Sequence, residues 1–136
     1  MESVDLVSKI IDTEAVSLGN SNKVFVGGFS QGCAVTLATL ISYPKPLGGI
    51  VALSGAQSLK VDDWSKIEQF KKDTPLFLYH GGSDPTIPVA LAKMTYDQMI
   101  GEGGFKAQLQ VEPSLAHSLS MEEIKKVAAF LNKLMM

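Results

Sequence analysis

The apolar residues of this chain follow two patterns. In the first, they recur every three or four positions. This spacing is typical of the buried face of an α-helix. It predicts helices over residues 3–18, 31–42, 63–72, 89–101 and 120–136. End signals support the first and last of these. Gly19-Asn20 follows the first helix as a stop signal, and Ser120 with Glu123 forms a capping-box pattern before the last.

The other pattern consists of short apolar runs between the helices, and these runs predict four strands. They lie at 24–26, 49–53 and 75–79, with a fourth at 106–111 in which apolar and polar residues alternate. Strands that alternate with helices are typical of a mostly parallel sheet with helices on both faces. The sequence therefore predicts an α/β fold. The length of 136 residues suggests one domain over 1–136.

Composition and charge narrow the range of partners. The net charge is −2 and no cluster of lysine or arginine is present, which argues against nucleic acid or an anionic membrane surface as the main partner. No apolar run approaches the roughly 20 residues of a membrane span, so stable membrane insertion is not expected. Cys33 is the only cysteine and the opening residues MESVD do not have the build of a signal peptide. We expect a cytoplasmic protein.

The candidate nucleophile is Ser30. Gly28-Phe29-Ser30-Gln31-Gly32 fits the pattern Gly-x-Ser-x-Gly and lies between a predicted strand and a predicted helix. A serine on such a sharp turn needs small neighbours at Gly28 and Gly32, so that strand and helix can pack closely. The N–H of Gln31, at the helix start, is a candidate donor to an oxyanion. The alternative is that Ser30 only caps the helix after a glycine turn.

A serine nucleophile needs a base, and the chain has two histidines. His117 lies between the last strand and the last helix, and Asp84 follows the strand at 75–79. The order Ser30, Asp84, His117 is that of α/β-hydrolases, which makes His117 the predicted base and Asp84 its orienting carboxylate. The alternative is a simple turn at Asp84 with His117 as a surface loop residue.

Three further residues, His80, Cys33 and Trp64, are expected to have structural roles. His80-Gly81-Gly82 is similar to an esterase oxyanion motif, but that motif precedes the nucleophile, so His80 is expected to hydrogen-bond the loop that presents Asp84. Cys33 is interpreted as a packing residue and Trp64 as part of a solvated helix start. No phosphate-binding loop, zinc-ligand spacing or dinucleotide fingerprint is present, so neither cofactor nor metal is expected.

Four stretches together resemble the phospholipase/carboxylesterase family: GGFSQGC (27–33), ALSG (52–55), HGGSDPTIP (80–88) and AHS (116–118). The similarity runs through the whole chain. It implies an α/β-hydrolase fold and hydrolysis of thioesters on S-palmitoylated proteins, or of short carboxylic esters and lysophospholipids. It also implies Ser30, Asp84 and His117 as the catalytic triad and Gln31 as an oxyanion donor.

The resemblance also implies two departures from the family pattern. Family members usually have glycine in place of Cys33, and they carry about four further strands before the helix at 3–18. One of those strands leads to the second oxyanion donor, so activity is expected to be weak. The strand at Val24–Val26 becomes a sheet edge, which predicts a homodimer or a partner fragment at that edge. The alternative function is a non-catalytic binding or dimerisation module.

Overall fold

The computed structural model describes residues 2–56 and 61–135. In this part of the chain the helices are α1 Glu2–Leu18, α2 Gln31–Ser42, α3 Gln69–Lys72, α4 Val89–Gly101 and α5 Met121–Met135. The strands are β1 Phe25–Phe29, β2 Gly49–Leu53, β3 Leu76–Gly81 and β4 Leu109–Glu112. Short 3₁₀ turns lie at Ser21–Lys23 and Trp64–Lys66.

The four strands form one sheet in the order β1-β2-β3-β4, and every neighbouring pair is parallel. Gly27 of β1 lies opposite Val51 of β2, and Val51 lies opposite Phe77 of β3. Parallel neighbours need a crossover connection, and helices provide it. The predicted α/β fold with a parallel sheet of about four strands is therefore confirmed.

Alternate residues of the strands face two separate hydrophobic clusters, as the two-residue period of a strand requires. Ile50 and Leu78 face the larger cluster, which contains residues of α1, α2 and α4. Val51 and Phe77 face the smaller cluster, which α5 covers with Phe130 among others. Burial on both faces explains why the central strands read as continuous apolar runs.

Helix α2 is the most enclosed connection, with five buried residues among its twelve. Two of these are threonines, which would leave a hydroxyl without a partner inside the core. Thr36 and Thr39 instead donate to the carbonyls of Gly32 and Val35, four residues earlier, at 2.8 and 2.7 Å. The helix can therefore bury these two polar residues beside Cys33, Leu37 and Leu40 without leaving their hydroxyl groups unpaired.

Some predicted boundaries are wrong for identifiable reasons. The first strand continues through Gly27-Gly28 to Phe29, because its ladder with β2 continues there. The segment 63–72 is not one helix but a 3₁₀ turn and the short α3. Asp63 caps that turn by accepting from the Ser65 N–H, and Trp64 is buried against Phe105 instead of solvated.

The start of α5 matches half of the predicted capping box. The hydroxyl of Ser120 accepts the N–H of Glu123 at 3.0 Å, as expected. The return bond is missing, because both carboxylate oxygens of Glu123 are buried without a hydrogen-bond partner. Burial is the largest influence and raises the pKa of Glu123, and the nearby Glu112 raises it further. The Ser120 N–H, close to the carboxylate but outside hydrogen-bonding geometry, partly offsets this rise in pKa.

Strand β1 forms one edge of the sheet in the described residues. The Ser30 N–H donates to Leu53 O, and Val24 O accepts from the Gly48 N–H, so both of these backbone groups face β2. Backbone groups alternate in direction along a strand. Those of Phe25, Gly27 and Phe29 consequently point away from β2, toward the open side.

Candidate active site

Ser30 occupies the one-residue connection between β1 and α2, with φ 60° and ψ −116°. A non-glycine residue in this region carries strain on the order of 1–3 kcal/mol. Two backbone hydrogen bonds hold it there: Ser30 N–H to Leu53 O and Cys33 N–H to Ser30 O, both 3.0 Å. The side chain makes no capping hydrogen bond to the helix, which disfavours a purely capping role.

The two glycines around Ser30 differ in how tightly they are enclosed. A Cβ atom on Gly28 would collide with the carbonyl of Gly32 and the N–H of Cys33, so Gly28 is required for the close approach of strand and helix. A Cβ atom on Gly32 would meet no atom within 4 Å. The expectation that both positions must be small is therefore wrong for Gly32, because a side chain there would extend into open space.

The three predicted site residues form one hydrogen-bonded series. Nε2 of His117 lies 2.8 Å from Oγ of Ser30, and Nδ1 lies 2.7 Å from Oδ2 of Asp84. The ring of Phe29 lies 5.0 Å from the imidazole, centroid to centroid. These side chains come from the loops after β1, β3 and β4, which the parallel sheet brings to the same edge.

Asp84 is 5% exposed and accepts hydrogen bonds on both oxygens. Oδ1 accepts the N–H groups of Thr86 and Ile87 at 2.8 and 2.9 Å, and Oδ2 faces His117. Burial is the largest influence and raises the pKa of Asp84. The hydrogen bonds from Ile87, His117 and Thr86 together outweigh burial, and the pKa lies below its usual value.

An ionised Asp84 determines the position of the imidazole proton. A carboxylate can only accept, so Nδ1 of His117 carries the hydrogen of the 2.7 Å bond. In the neutral ring, Nε2 is then free to accept the hydroxyl proton of Ser30. This arrangement can deprotonate the serine as it attacks.

Gln31 is the first residue of α2. Its N–H belongs to the first turn, whose N–H groups have no acceptor within the helix, and it lies at the positive end of the helix dipole. This position is compatible with donation to an oxyanion next to Ser30. The assignment of Gln31 as an oxyanion donor stays a prediction.

Cys33 lies under the turn, fully buried, with its Sγ 3.5 Å from the hydroxyl of Tyr96. Burial raises its pKa to about 11, against smaller opposing effects of hydrogen bonds with Tyr96, Gly55 and Leu53. A thiol in this state is a poor nucleophile at neutral pH. The structure agrees with the interpretation of Cys33 as a packing residue.

Two residues near the site, Phe29 and Ser54, lie in stretches that resemble the family, but the sequence alone gives neither of them a role. Phe29 packs on His117, but in the pattern Gly-x-Ser-x-Gly its position can hold any residue. Ser54 follows β2 with φ 55° and is fully buried, with no hydrogen-bond partner for its hydroxyl. Both depend on tertiary neighbours that a single sequence does not identify.

Residues 2–56 and 61–135 contain neither a metal-binding cluster nor a membrane-spanning helix. No group of three or more His, Cys, Asp or Glu residues is arranged to hold a metal ion. No helix in this range combines the length and apolar character that crossing a membrane requires.

The fold and the site geometry define a class of protein. A serine on a strained strand-to-helix turn, hydrogen-bonded to a histidine and through it to an aspartate beyond the carboxyl ends of parallel strands, is the arrangement of α/β-hydrolases. The family model for phospholipase/carboxylesterase matches residues 1–135. The chain belongs to the phospholipase/carboxylesterase family.

Individual relatives agree with this assignment. Acyl-protein thioesterase 1 of Yarrowia lipolytica is 37% identical over 134 residues, 98% of this chain and 59% of the relative. Carboxylesterase SOBER1 of Arabidopsis thaliana is 32% identical over 133 residues, 98% of this chain and 58% of the relative. The crystal structure of Arabidopsis SOBER1 superimposes with a TM-score of 0.89 at 31% identity, covering 99% of this chain and 64% of the other.

This chain and its relatives differ in length. The chain spans slightly less than three fifths of the length of these two curated relatives. The matched part includes the whole described sheet and the three loops that carry Ser30, Asp84 and His117. What the relatives do as whole proteins is therefore a hypothesis for this chain.

Gly28 and Gly32, on either side of Ser30, provide a matched test of the turn. We expect Gly28→Ala to destabilise the fold by about 1–3 kcal/mol or more, because its methyl group would overlap the backbone of Gly32. Gly32→Ala should be neutral or stabilising by up to about 1 kcal/mol, since the site is open and alanine favours the helix. Urea unfolding followed by circular dichroism measures both. Equal effects of the two substitutions would contradict the geometry of the turn.

Proposed function

We propose that this chain is a serine hydrolase that cleaves thioesters of S-acylated, including palmitoylated, proteins or short carboxylic esters and lysophospholipids. The observation that carries the proposal is the pair of hydrogen bonds that joins Ser30 to His117 and His117 to Asp84, at 2.8 and 2.7 Å. The names of the relatives, acyl-protein thioesterase and carboxylesterase, support this choice of substrates. A cytoplasmic location is part of the proposal, since Cys33 is the only cysteine of the chain.

The proposed reaction proceeds through an acyl-enzyme. Oγ of Ser30 attacks the carbonyl carbon while its proton passes to Nε2 of His117, and the carboxylate of Asp84 stabilises the imidazolium. The tetrahedral oxyanion accepts the N–H of Gln31. The intermediate collapses, the bond from carbon to sulfur or oxygen breaks, and His117 returns the proton to the leaving thiol or alcohol. Water then attacks the acyl-enzyme with His117 again as base, which regenerates Ser30 and releases the acid.

The chemistry of the leaving group bears on the choice among the proposed substrates. The tetrahedral intermediate collapses more readily when the leaving group needs little help from the general acid. Thiols, with a pKa of about 8.5, leave as anions more easily than alcohols. This chemistry favours thioesters among the proposed substrates.

The second candidate function is a non-catalytic binding or dimerisation module. The open edge of β1 favours it, because unpaired strand edges recruit other strands. The two functions differ in one property, which is whether the hydroxyl of Ser30 reacts as a nucleophile. That property can be measured without knowing the substrate.

Labelling with a fluorophosphonate probe provides the test. We expect stoichiometric labelling of the chain that Ser30→Ala abolishes, because the hydroxyl of Ser30 lies within proton-transfer distance of His117. Ser42→Ala is the matched control, since Ser42 is an exposed serine at the end of helix α2, which begins directly after Ser30. Mass spectrometry measures the labelled fraction, and acyl-thioester hydrolysis measures turnover.

The outcomes separate the two functions. Labelling and thioester hydrolysis that both require Ser30 support the enzyme. A folded sample that is not labelled, or that is labelled equally after Ser30→Ala, refutes the enzyme and leaves the binding module. Circular dichroism on the same sample establishes that it is folded.

We further propose that a second copy of the chain covers the edge of β1. The outward backbone groups of Phe25, Gly27 and Phe29 form a row of donors and acceptors without a partner strand. Two such edges complement each other when they pair antiparallel about a two-fold axis, which is the symmetry of the commonest homodimers. The strand carries neither lysine nor proline, the residues that usually block edge pairing.

A groove beside this edge adds apolar area to the proposed interface. It has a volume of about 430 Å³ and runs between α1, β1 and α2. Val7, Ile10, Val26 and Val35 are among its lining residues, and Ile10 is 53% exposed. Glu14 is the one charged residue in the lining, so little electrostatic repulsion opposes a second copy.

Two substitutions at Gly27 test the proposed dimer. Proline removes the N–H of Gly27, which points away from β2, whereas alanine keeps it, and both add a Cβ 3.3 Å from Val51. We expect the wild type and Gly27→Ala to dimerise in multi-angle light scattering, and Gly27→Pro to be monomeric. A wild type that stays monomeric at all concentrations would contradict the proposal, as would a dimer that Gly27→Pro leaves intact.

A further inference from the structure

A second histidine lies next to the proposed triad. His80, on β3, is fully buried, and its Nε2 lies 2.7 Å from the carbonyl oxygen of Ile87. The same nitrogen lies 3.5 Å from Oδ2 of Asp84. Nδ1 is buried and has no hydrogen-bond partner among the described residues. The proposed reaction leaves this imidazole without a role.

The contact with Ile87 determines where the proton of His80 lies. A carbonyl oxygen can only accept, so Nε2 must carry the hydrogen of that bond. A second proton on Nδ1 would bury an N–H without an acceptor, which is costly. The geometry therefore corresponds to a neutral ring with its single proton on Nε2.

The hydrogen bond from His80 to Ile87 helps to fix the turn that runs from Asp84 to Ile87. The N–H of Ile87 donates to Oδ1 of Asp84 at 2.9 Å, and its carbonyl accepts from His80. Ile87 is thus held on both sides, by the carboxylate and by the imidazole. Oδ1 is occupied by the backbone of the turn, which leaves Oδ2 for His117.

We propose that His80 is a positioning residue that acts on His117 through the turn of Asp84. Its N–H holds Ile87, Ile87 orients the carboxylate of Asp84, and the carboxylate holds Nδ1 of His117. The catalytic consequence rests on the proposed function, whereas the effect on the hydrogen bond between His117 and Asp84 does not.

The position of the proton can be observed directly. The chain contains two histidines, so ¹⁵N-histidine labelling gives signals from His80 and His117 alone, and one variant at residue 80 assigns them. Long-range ¹H–¹⁵N spectra should show His80 protonated on Nε2 and His117 on Nδ1, the latter with a far-downfield proton. A proton on Nδ1 of His80 would overturn the proposal.

Two substitutions distinguish the effect of the hydrogen bond between His80 and Ile87 from the effect of filling the same volume. The side-chain amide of His80→Gln can donate to the carbonyl of Ile87, whereas His80→Met fills similar volume without a donor. We expect His80→Met to lose the far-downfield proton of His117 and to lower the rate of fluorophosphonate labelling of Ser30 by roughly 10²-fold, since small displacements of reacting groups have effects of that size. His80→Gln should restore the downfield proton and most of the labelling rate.

The outcomes distinguish this proposal from the proposed function. If wild-type Ser30 is not labelled, the hydrolase proposal fails, and the proton of His117 in the Gln and Met variants still decides the role of His80. A folded His80→Met variant that keeps both the proton and the labelling rate refutes the positioning role. If His80→Met does not fold, the proton position in the wild type and the response of His80→Gln decide.

Discussion

The 2.8 Å hydrogen bond between Ser30 and His117 is the interaction on which the proposed function depends. It joins residues 87 positions apart, which the parallel sheet brings together by placing the ends of β1 and β4 at the same edge. Helix α2 must begin immediately after β1, and Gly28 permits that close approach. The buried turn of Asp84 then holds the imidazole from its other side.

Much of this arrangement could be predicted from the sequence because parallel sheets bring the carboxyl ends of their strands together. Ser30, Asp84 and His117 each follow an apolar run, so the pattern that predicts the strands also predicts that the three residues meet. The family resemblance added the expected chemistry, and the family assignment is confirmed over residues 1–135. The catalytic roles themselves stay predictions.

The remaining details depend on tertiary contacts that local patterns do not encode. Gly28 and Gly32 are equivalent in the motif, but only the position of α2 against β1 shows that a side chain is excluded at the first and accommodated at the second. Trp64 stands beside two aspartates and reads as solvated, yet it packs on Phe105, 41 residues later in the chain. The bond from His80 to Ile87 likewise needs the folded turn.

The open edge of β1 lies close to the proposed active site. The chain retains the three loops of the proposed triad, but it spans about three fifths of the length of the curated relatives. Strand β1 forms this edge and ends at Phe29, directly before Ser30. A strand that covers the edge would therefore lie next to the turn that holds Ser30. The partner strand proposed for this edge would thus lie beside the residue whose reactivity the proposed function requires.

The central claim is that Ser30, His117 and Asp84 act as one coupled unit, and a double-mutant cycle tests it most directly. The measured quantity is the second-order rate of fluorophosphonate labelling for the wild type, His117→Ala, Asp84→Asn and the double variant. Coupled residues are strongly non-additive, so the double variant should be no slower than His117→Ala alone. If the two losses simply multiply, Asp84 does not act through His117 and the account is contradicted.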